Sequence, residues 1–168
     1  MDTTTLSLII AVLAFLLAIA SFLKKPAQQT VTAQPGSNNS SIPLKLQAYE
    51  RLVLLSERIS LPNLISRLTK PDISAYEMKI ILTENIKQEF DYNSTQQLYV
   101  SPVSWDAVRN LKEQNIMIIN QVSAGLPADA SAAELNKKIL ELILSQPNGS
   151  LHEMVLQTLN FEAKKLMQ

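Results

Sequence analysis

The sequence predicts an all-α protein in which an N-terminal transmembrane helix and a flexible linker precede a soluble bundle of four or five helices. Residues 6–23 form an unbroken apolar stretch without charge, Pro or Gly, and a polar segment rich in Gln, Ser, Asn and Pro follows. The rest of the chain shows apolar stripes with helical spacing behind three capping-box motifs. We therefore expect four segments: a short tail at residues 1–5, a transmembrane helix at 6–23, a linker at 24–43 and a helical domain at 44–168.

Charge is sparse and balanced along the chain. It carries 15 basic and 15 acidic residues, and the first 43 residues hold only Asp2, Lys24 and Lys25. Without these three the remaining domain has a net charge of −1, which gives it no electrostatic reason to bind nucleic acid. The chain has no Cys, which excludes disulfides, thiolate nucleophiles and cysteine metal sites.

The apolar stretch at residues 6–23 has the length of a membrane-spanning helix. As a helix it would be about 27 Å long, close to a hydrocarbon thickness of about 30 Å. Lys24 and Lys25 follow it and only Asp2 precedes it, so the positive-inside rule predicts an external N-terminus and a cytoplasmic domain. A signal peptide is the alternative, because the small residues around Ala18 resemble a cleavage site. A signal peptide, however, carries its basic segment before the apolar run.

Small residues recur along one face of this predicted helix, at spacings of four, three, four and three. The stripe consists of Ser7, Ala11, Ala14, Ala18 and Ser21. Small residues let two transmembrane helices approach closely, so the stripe is a candidate for self-association. Alanine and serine are also common filler in such helices, and this stripe lacks glycine.

The linker at residues 24–43 has few apolar side chains to bury. Such a composition cannot offset the entropy lost on ordering, so we expect a mobile segment. A flexible coil of this length spans about 25 Å. The helical domain is therefore expected to stay near the membrane without rigid docking.

The first helix of the domain is predicted at residues 44–60. Its apolar stripe consists of Leu44, Leu52, Leu55 and Ile59. Pro62 and Asn63 mark a break, after which one or two further helical turns are expected before Pro71.

Start and stop signals predict the later helices. Three capping boxes, in which a serine stands three residues before a glutamate, are Ser74 with Glu77, Ser131 with Glu134 and Ser150 with Glu153. Ser101-Pro102 predicts a further helix start, because proline loses no needed hydrogen bond at the first helical position. Residues 97–100 resemble a strand, but a lone strand has no partner, so an extended connector is expected there.

The sequence offers little for catalysis or metal binding. His152 is the single histidine, and a histidine base needs both an orienting partner and a nucleophile within reach. Zinc sites use Cys and His, and carboxylate-bridged metal sites in bundles use Glu-x-x-His pairs, which this chain lacks. With three glycines the chain has no glycine-rich phosphate loop. We therefore expect no cofactor, no metal and no enzymatic activity.

Two sets of side chains are candidates for a weak interaction surface. Tyr92, Tyr99 and Trp105 cluster in sequence with Phe90, and aromatic residues anchor interfaces, although they anchor cores equally well. Arg51 and Arg58 stand seven residues apart on one helical face and could meet an acidic partner or lipid headgroups. Neighbouring glutamates favour a mixed solvated face instead.

Two segments resemble a family of small bacterial proteins of unknown function. They read LQAYERLVLLSERISLPNLISRL at residues 46–68 and QEFDYNSTQQLYVSPVSWDAV at residues 88–108. Members of that family look like this chain, with an N-terminal membrane anchor, a polar linker and a helical domain. The resemblance implies a bacterial inner-membrane location and implies no activity, ligand or catalytic residue.

Three function classes follow from these observations. The first is a membrane-tethered interaction or scaffold module, whose partners are the bilayer through residues 6–23 and either a second copy or a cytoplasmic protein. The second is a membrane-anchored sensor or regulator that binds a small ligand between helices. The third, an enzyme, predicts pKa-shifted polar groups that converge in a cleft.

Overall fold

The computed structural model describes residues 41–145 and 151–168. These residues form six α-helices and one 3₁₀ helix, and they contain no strand. The helices are α1 (Ile42–Ile59), α2 (Leu61–Leu68), α3 (Ala75–Tyr92), the 3₁₀ helix (Ser94–Leu98), α4 (Pro102–Ala124), α5 (Ala132–Leu144) and α6 (Leu151–Lys165). The all-α prediction is confirmed for this part of the chain, whereas the predicted count of four or five helices is too low.

The first two helices begin earlier than the sequence predicts. Helix α1 starts at Ile42 with Pro43 in its first turn, two residues before the predicted start at residue 44. The break after α1 falls at Ser60, and Pro62 lies in the first turn of α2 rather than between helices. Both errors have one cause, because a proline in the first turn lacks only an N–H that would have no helical partner.

Two of the three predicted capping boxes lie in described residues, and both are confirmed. The Ser74 N–H donates to Glu77 Oε2 at 2.9 Å, and the Glu77 N–H donates to Ser74 Oγ at 3.2 Å. The equivalent distances for Ser131 and Glu134 are 2.8 and 3.3 Å. The third predicted box involves Ser150, which lies outside the described residues.

The starts of α3 and α5 are joined by a short antiparallel bridge between Ser74 and Ser131. The Ala75 N–H donates to the Ala130 carbonyl at 2.9 Å, and the Ala132 N–H donates to the Ile73 carbonyl at 3.0 Å. The first N–H groups of a helix have no partner within the helix, and this bridge satisfies one from each.

Every α-helix contributes a side chain to one hydrophobic core. Representative fully buried residues, one from each helix in order, are Leu52, Leu64, Met78, Ile119, Leu135 and Leu159. Helix α4 packs against α1, α3, α5 and α6. The predicted stripe of α1 is correct except at Leu44, which is exposed, because the buried part of this helix begins only at Ala48.

The connection between α3 and α4 is helical rather than extended. Residues Ser94–Leu98 form the 3₁₀ helix, so the predicted extended connector at residues 97–100 is wrong. Its i→i+3 bonds include Gln96 N–H to the Asn93 carbonyl at 3.0 Å. The buried Asn93 side chain donates to the Glu89 carbonyl at 2.8 Å, which ends α3 and favours a tight turn over a strand.

In the part of the chain that the structure describes, no helix has both the length and the apolar character needed to cross a membrane. The predicted transmembrane helix at residues 6–23 lies outside that part, as do all members of the small-residue stripe: Ser7, Ala11, Ala14, Ala18 and Ser21.

Candidate functional site

Helices α1 and α6 form an antiparallel pair. Near the end of α1, Glu57 Oε2 lies 3.5 Å from Nε2 of His152, which is in the first turn of α6. Near the start of α1, Leu46 lines the same groove as Met167, which follows the end of α6. The pair therefore has two distinct ends, and each end carries a concave surface.

The first concave surface, the α1–α6 groove, has a volume of about 520 Å³. Its lining residues are Leu46, Tyr49, Glu50, Val53, Leu54, Asn160, Ala163 and Met167. Leu54 is 62% exposed and Met167 is 64% exposed, which are high values for large apolar side chains. The groove is thus an apolar helix–helix seam that the described part of the chain leaves open to solvent.

One acidic and one basic side chain flank this groove. Glu50 lines its α1 side, and Lys164 lies one helical turn after Asn160 on the α6 side. Neither Glu50 nor Lys164 forms an ion pair within residues 41–145 and 151–168. Both charges remain available to a molecule that occupies the groove.

The second concave surface, the His152 cavity, has a volume of about 410 Å³ and lies at the other end of the helix pair. Its apolar lining consists of Leu61, Pro62, Leu111, Ile118, Ile143, Leu144 and Leu151. Its polar lining consists of Ser60, Asn63, Gln114, Asn115, His152 and Glu153. A mixed lining and this volume fit the usual range of small-molecule sites.

Asn115 is the most buried polar side chain of this cavity that reaches across helices. It is 5% exposed and stands in the middle of α4. Its Nδ2 donates to the carbonyl of Ile59 at the end of α1, at 2.7 Å. Since that bond fixes the amide, Oδ1 is the atom left to accept a further hydrogen bond at the cavity.

His152 faces a carboxylate that a third residue holds in place. Its Nε2 is enclosed and has no hydrogen-bond partner in the described part of the chain, with Glu57 Oε2 at 3.5 Å. Asn63 Nδ2 donates to both that carboxylate oxygen and the Glu57 backbone carbonyl, each at 3.1 Å. An acceptor beside Nε2 favours a proton on that nitrogen, which leaves Nδ1 as the acceptor of a neutral imidazole.

The carboxyl groups with shifted pKa values lie outside both concave surfaces. Hydrogen bonds from Ser74 and Ser131 lower the pKa values of Glu77 and Glu134 at the helix caps. The hydrogen bond from Lys165 lowers the pKa of Glu162. Among described residues, no group of three or more His, Asp or Glu side chains could hold a metal ion.

The predicted aromatic surface divides into two parts. The ring centroids of Phe90 and Trp105 lie 5.0 Å apart, and both rings are half-buried against the core. Tyr92 is 78% exposed, and Tyr99 is also exposed. Phe90 and Trp105 thus pack against the core, and an interaction role for Tyr92, Tyr99 and Trp105 stays a prediction.

The predicted arginine face also divides. Arg58 forms an ion pair with Glu89 of α3, and this hydrogen-bonded contact lowers the pKa of the Glu89 carboxyl. Arg67 joins the cluster, with Nη1 at 3.6 Å from Glu89 Oε1 and Nη2 at 3.0 Å from Asn85 Oδ1. Arg51 is exposed and has no ion pair within the described residues. Arg58 is thus already paired within an interhelical cluster, and the spacing of residues within α1 could not reveal this pairing.

Sequence reasoning missed both concave surfaces, although one signal for the cavity was present. Asn115 follows Leu111 by four residues and precedes Ile118 by three, so it stands on the apolar stripe of its helix. A polar residue at a core position must find a hydrogen-bond partner, which marks it as unusual. The groove had no such signal, because its residues come from opposite ends of the domain.

Comparison with known proteins gives a family. A family of unknown function, DUF7935, matches residues 1–166, and the chain belongs to that family. No curated protein and no solved structure matches the chain.

Proposed function

We propose that this protein is a non-catalytic, membrane-tethered helical module that associates with a second copy of itself at the bacterial inner membrane. The observation that supports this function best is the α1–α6 groove, with its two exposed apolar side chains, Leu54 and Met167. A solvent-exposed apolar seam of this kind is typical of an interaction surface.

The membrane half of the proposal depends on the sequence before α1. The apolar stretch at residues 6–23 is long enough to span a bilayer, and Lys24 and Lys25 follow it. The positive-inside rule favours an external N-terminus and a cytoplasmic helical domain. Two copies anchored in one membrane would meet at a raised effective concentration, so a modest groove contact would suffice.

Charge complementarity supports a second copy as the occupant. Leu46 and Met167 lie at the same end of the α1–α6 pair. Glu50 is about 6 Å along the helix axis from Leu46, and Lys164 is about 4.5 Å from Met167, so the two charges lie at similar heights. A two-fold axis parallel to the helices would preserve these heights and set each Glu50 against Lys164 of the partner subunit.

Charge reversal tests this association. Two differently tagged full-length copies are co-expressed and co-purified in mild detergent, and the recovered fraction of the second tag is measured. Glu50→Lys and Lys164→Glu should each reduce recovery, because like charges would then oppose each other. The double variant should restore it, and Asp129→Lys, at an exposed residue outside the groove, should change nothing. Equal recovery for all variants would remove the groove from the interface.

Topology is tested separately, with the chain's lack of cysteine as an advantage. A Ser40→Cys variant is expressed, and intact spheroplasts are treated with a membrane-impermeant thiol reagent. Labelling only after lysis is the expected result for a cytoplasmic domain. Labelling of intact spheroplasts would reverse the proposed orientation and point to partners in the cell envelope.

A small-ligand sensor is the second candidate function, and the His152 cavity favours it. Saturable stabilisation of the full-length chain by one compound in a thermal-shift screen would support it. A screen without any stabilising compound would leave the scaffold as the better proposal.

A further inference from the structure

Among its polar groups, the His152 cavity has two side-chain atoms that can accept a hydrogen bond, beside the donor groups of Ser60, Asn63 and Gln114. The bond from Asn115 to Ile59 leaves Oδ1 as the acceptor on a side chain that is itself more than nine-tenths buried. Nε2 of His152 faces the Glu57 carboxylate, so Nδ1 is the imidazole nitrogen that can accept a hydrogen bond from a ligand. A ligand that pairs with these two acceptor atoms must supply hydrogen-bond donors.

The charged side chains of the lining determine which sign of charge a hydrogen-bond-donating ligand should carry. Glu153 lines the cavity, and Glu57 lies behind the imidazole. None of the described residues that line the cavity is Lys or Arg. A buried anion would have no counter-charge here, whereas a cation would gain from both carboxylates.

The remaining lining is aliphatic and fits a short hydrocarbon chain. Leu111 and Ile118 of α4 and Ile143 of α5 form part of this surface. Burial of a ligand's methylene groups against this surface would favour binding. The cavity thus combines the two acceptor atoms and the acidic side chains with an apolar wall.

We propose that the His152 cavity binds a small organic ammonium ion that carries a short aliphatic chain. The ammonium group donates to Asn115 Oδ1 and His152 Nδ1, and its charge is balanced by the neighbouring carboxylates. This inference rests on the sensor candidate and does not depend on self-association through the α1–α6 groove.

The chain's single histidine makes the test direct. The full-length protein is prepared in lipid nanodiscs with ¹³C-labelled histidine, and the imidazole signal is followed by NMR at pH 8, where an ordinary imidazole is neutral. The probes are n-butylammonium, butyrate and 1-butanol, which share a chain and differ in charge. Saturable shifts with butylammonium, at concentrations where butyrate and butanol have no effect, are the expected result.

The outcomes separate the ligand class from the sensor candidate. Equal responses to butylammonium and butanol would show an apolar site and overturn the ammonium assignment, while the cavity would still be a ligand site. A response to butyrate alone would overturn it as well. No saturable response to any probe would count against both the inference and the sensor candidate.

Two variants tie binding to the cavity. Asn115→Ala should weaken butylammonium binding about tenfold or more, because a hydrogen bond to a charged group is lost. Asn110→Ala, an exposed change on the same helix, should leave affinity unchanged. Ile143→Phe should also weaken binding by filling the cavity, and it retains the Asn115 bond that supports the fold. Unchanged affinity in both cavity variants would place the binding elsewhere and overturn the proposal.

Discussion

Asn115→Ala gives the sharpest stability prediction for this fold. The side chain is 5% exposed, and its Nδ2 donates at 2.7 Å to the Ile59 carbonyl where α1 ends. Alanine removes the donor and leaves that carbonyl without its partner, which costs about 1–3 kcal/mol. The void adds to this cost, whereas the better helix propensity of alanine returns about 0.5 kcal/mol. We expect a net loss of about 2–3 kcal/mol in the free energy of unfolding.

The matched control is Asn110→Ala, five residues earlier and exposed on the same helix. It shares the propensity gain and loses no buried contact, so it should be neutral or slightly stabilising. Urea unfolding of residues 38–168 followed by the fluorescence of Trp105, the single tryptophan, measures both variants. A loss below about 0.5 kcal/mol for Asn115→Ala would refute the argument that this bond ties α1 to α4.

Two further predictions concern charged side chains at helix ends and between helices. The pKa values of Glu77 and Glu134 are lowered in the folded state from 4.5, so their stabilising contribution is present above that pH and is lost as pH falls through the folded pKa values. The wild type should therefore be more stable than the double variant Glu77→Ala/Glu134→Ala at pH 7. Denaturation measured as a function of pH should show this difference in stability disappearing in acid. Glu89→Ala should cost about 1 kcal/mol, because this one carboxylate accepts hydrogen bonds from Arg58 of α1 and forms an ion pair with Arg67 of α2. A double-mutant cycle with Arg58→Ala measures the coupling energy, and additive losses would contradict it.

Local sequence signals predicted helix starts well where a side chain forms hydrogen bonds within its own helical turn. The boxes at Ser74 and Ser131 are such cases, because serine and glutamate three residues apart cap the same helix wherever it lies. Proline was misleading for the opposite reason. Pro43 and Pro62 are compatible both with a break and with a first turn, and the surrounding packing decides between them.

The candidate sites depend on contacts that no local pattern records. Arg58 meets Glu89, which is 31 residues away, and Asn115 meets Ile59, which is 56 residues away. The sequence shows that Arg58 is charged and that Asn115 interrupts an apolar stripe, but not which group each one reaches. The α1–α6 groove is even harder to predict from the sequence, because it exists only when folding brings Leu46 and Met167 together.

The bridge between Ser74 and Ser131 couples the local unfolding of two helix starts that are far apart in sequence. The Ala75 and Ala132 amides are each protected by a carbonyl from the opposite segment, and both bonds belong to one two-segment contact. Separating the segments exposes both amides at once, whereas fraying of either helix alone exposes its own first turn. In hydrogen exchange these two amides should therefore share one opening free energy, and the start of α5 should be as slow to exchange as the start of α3.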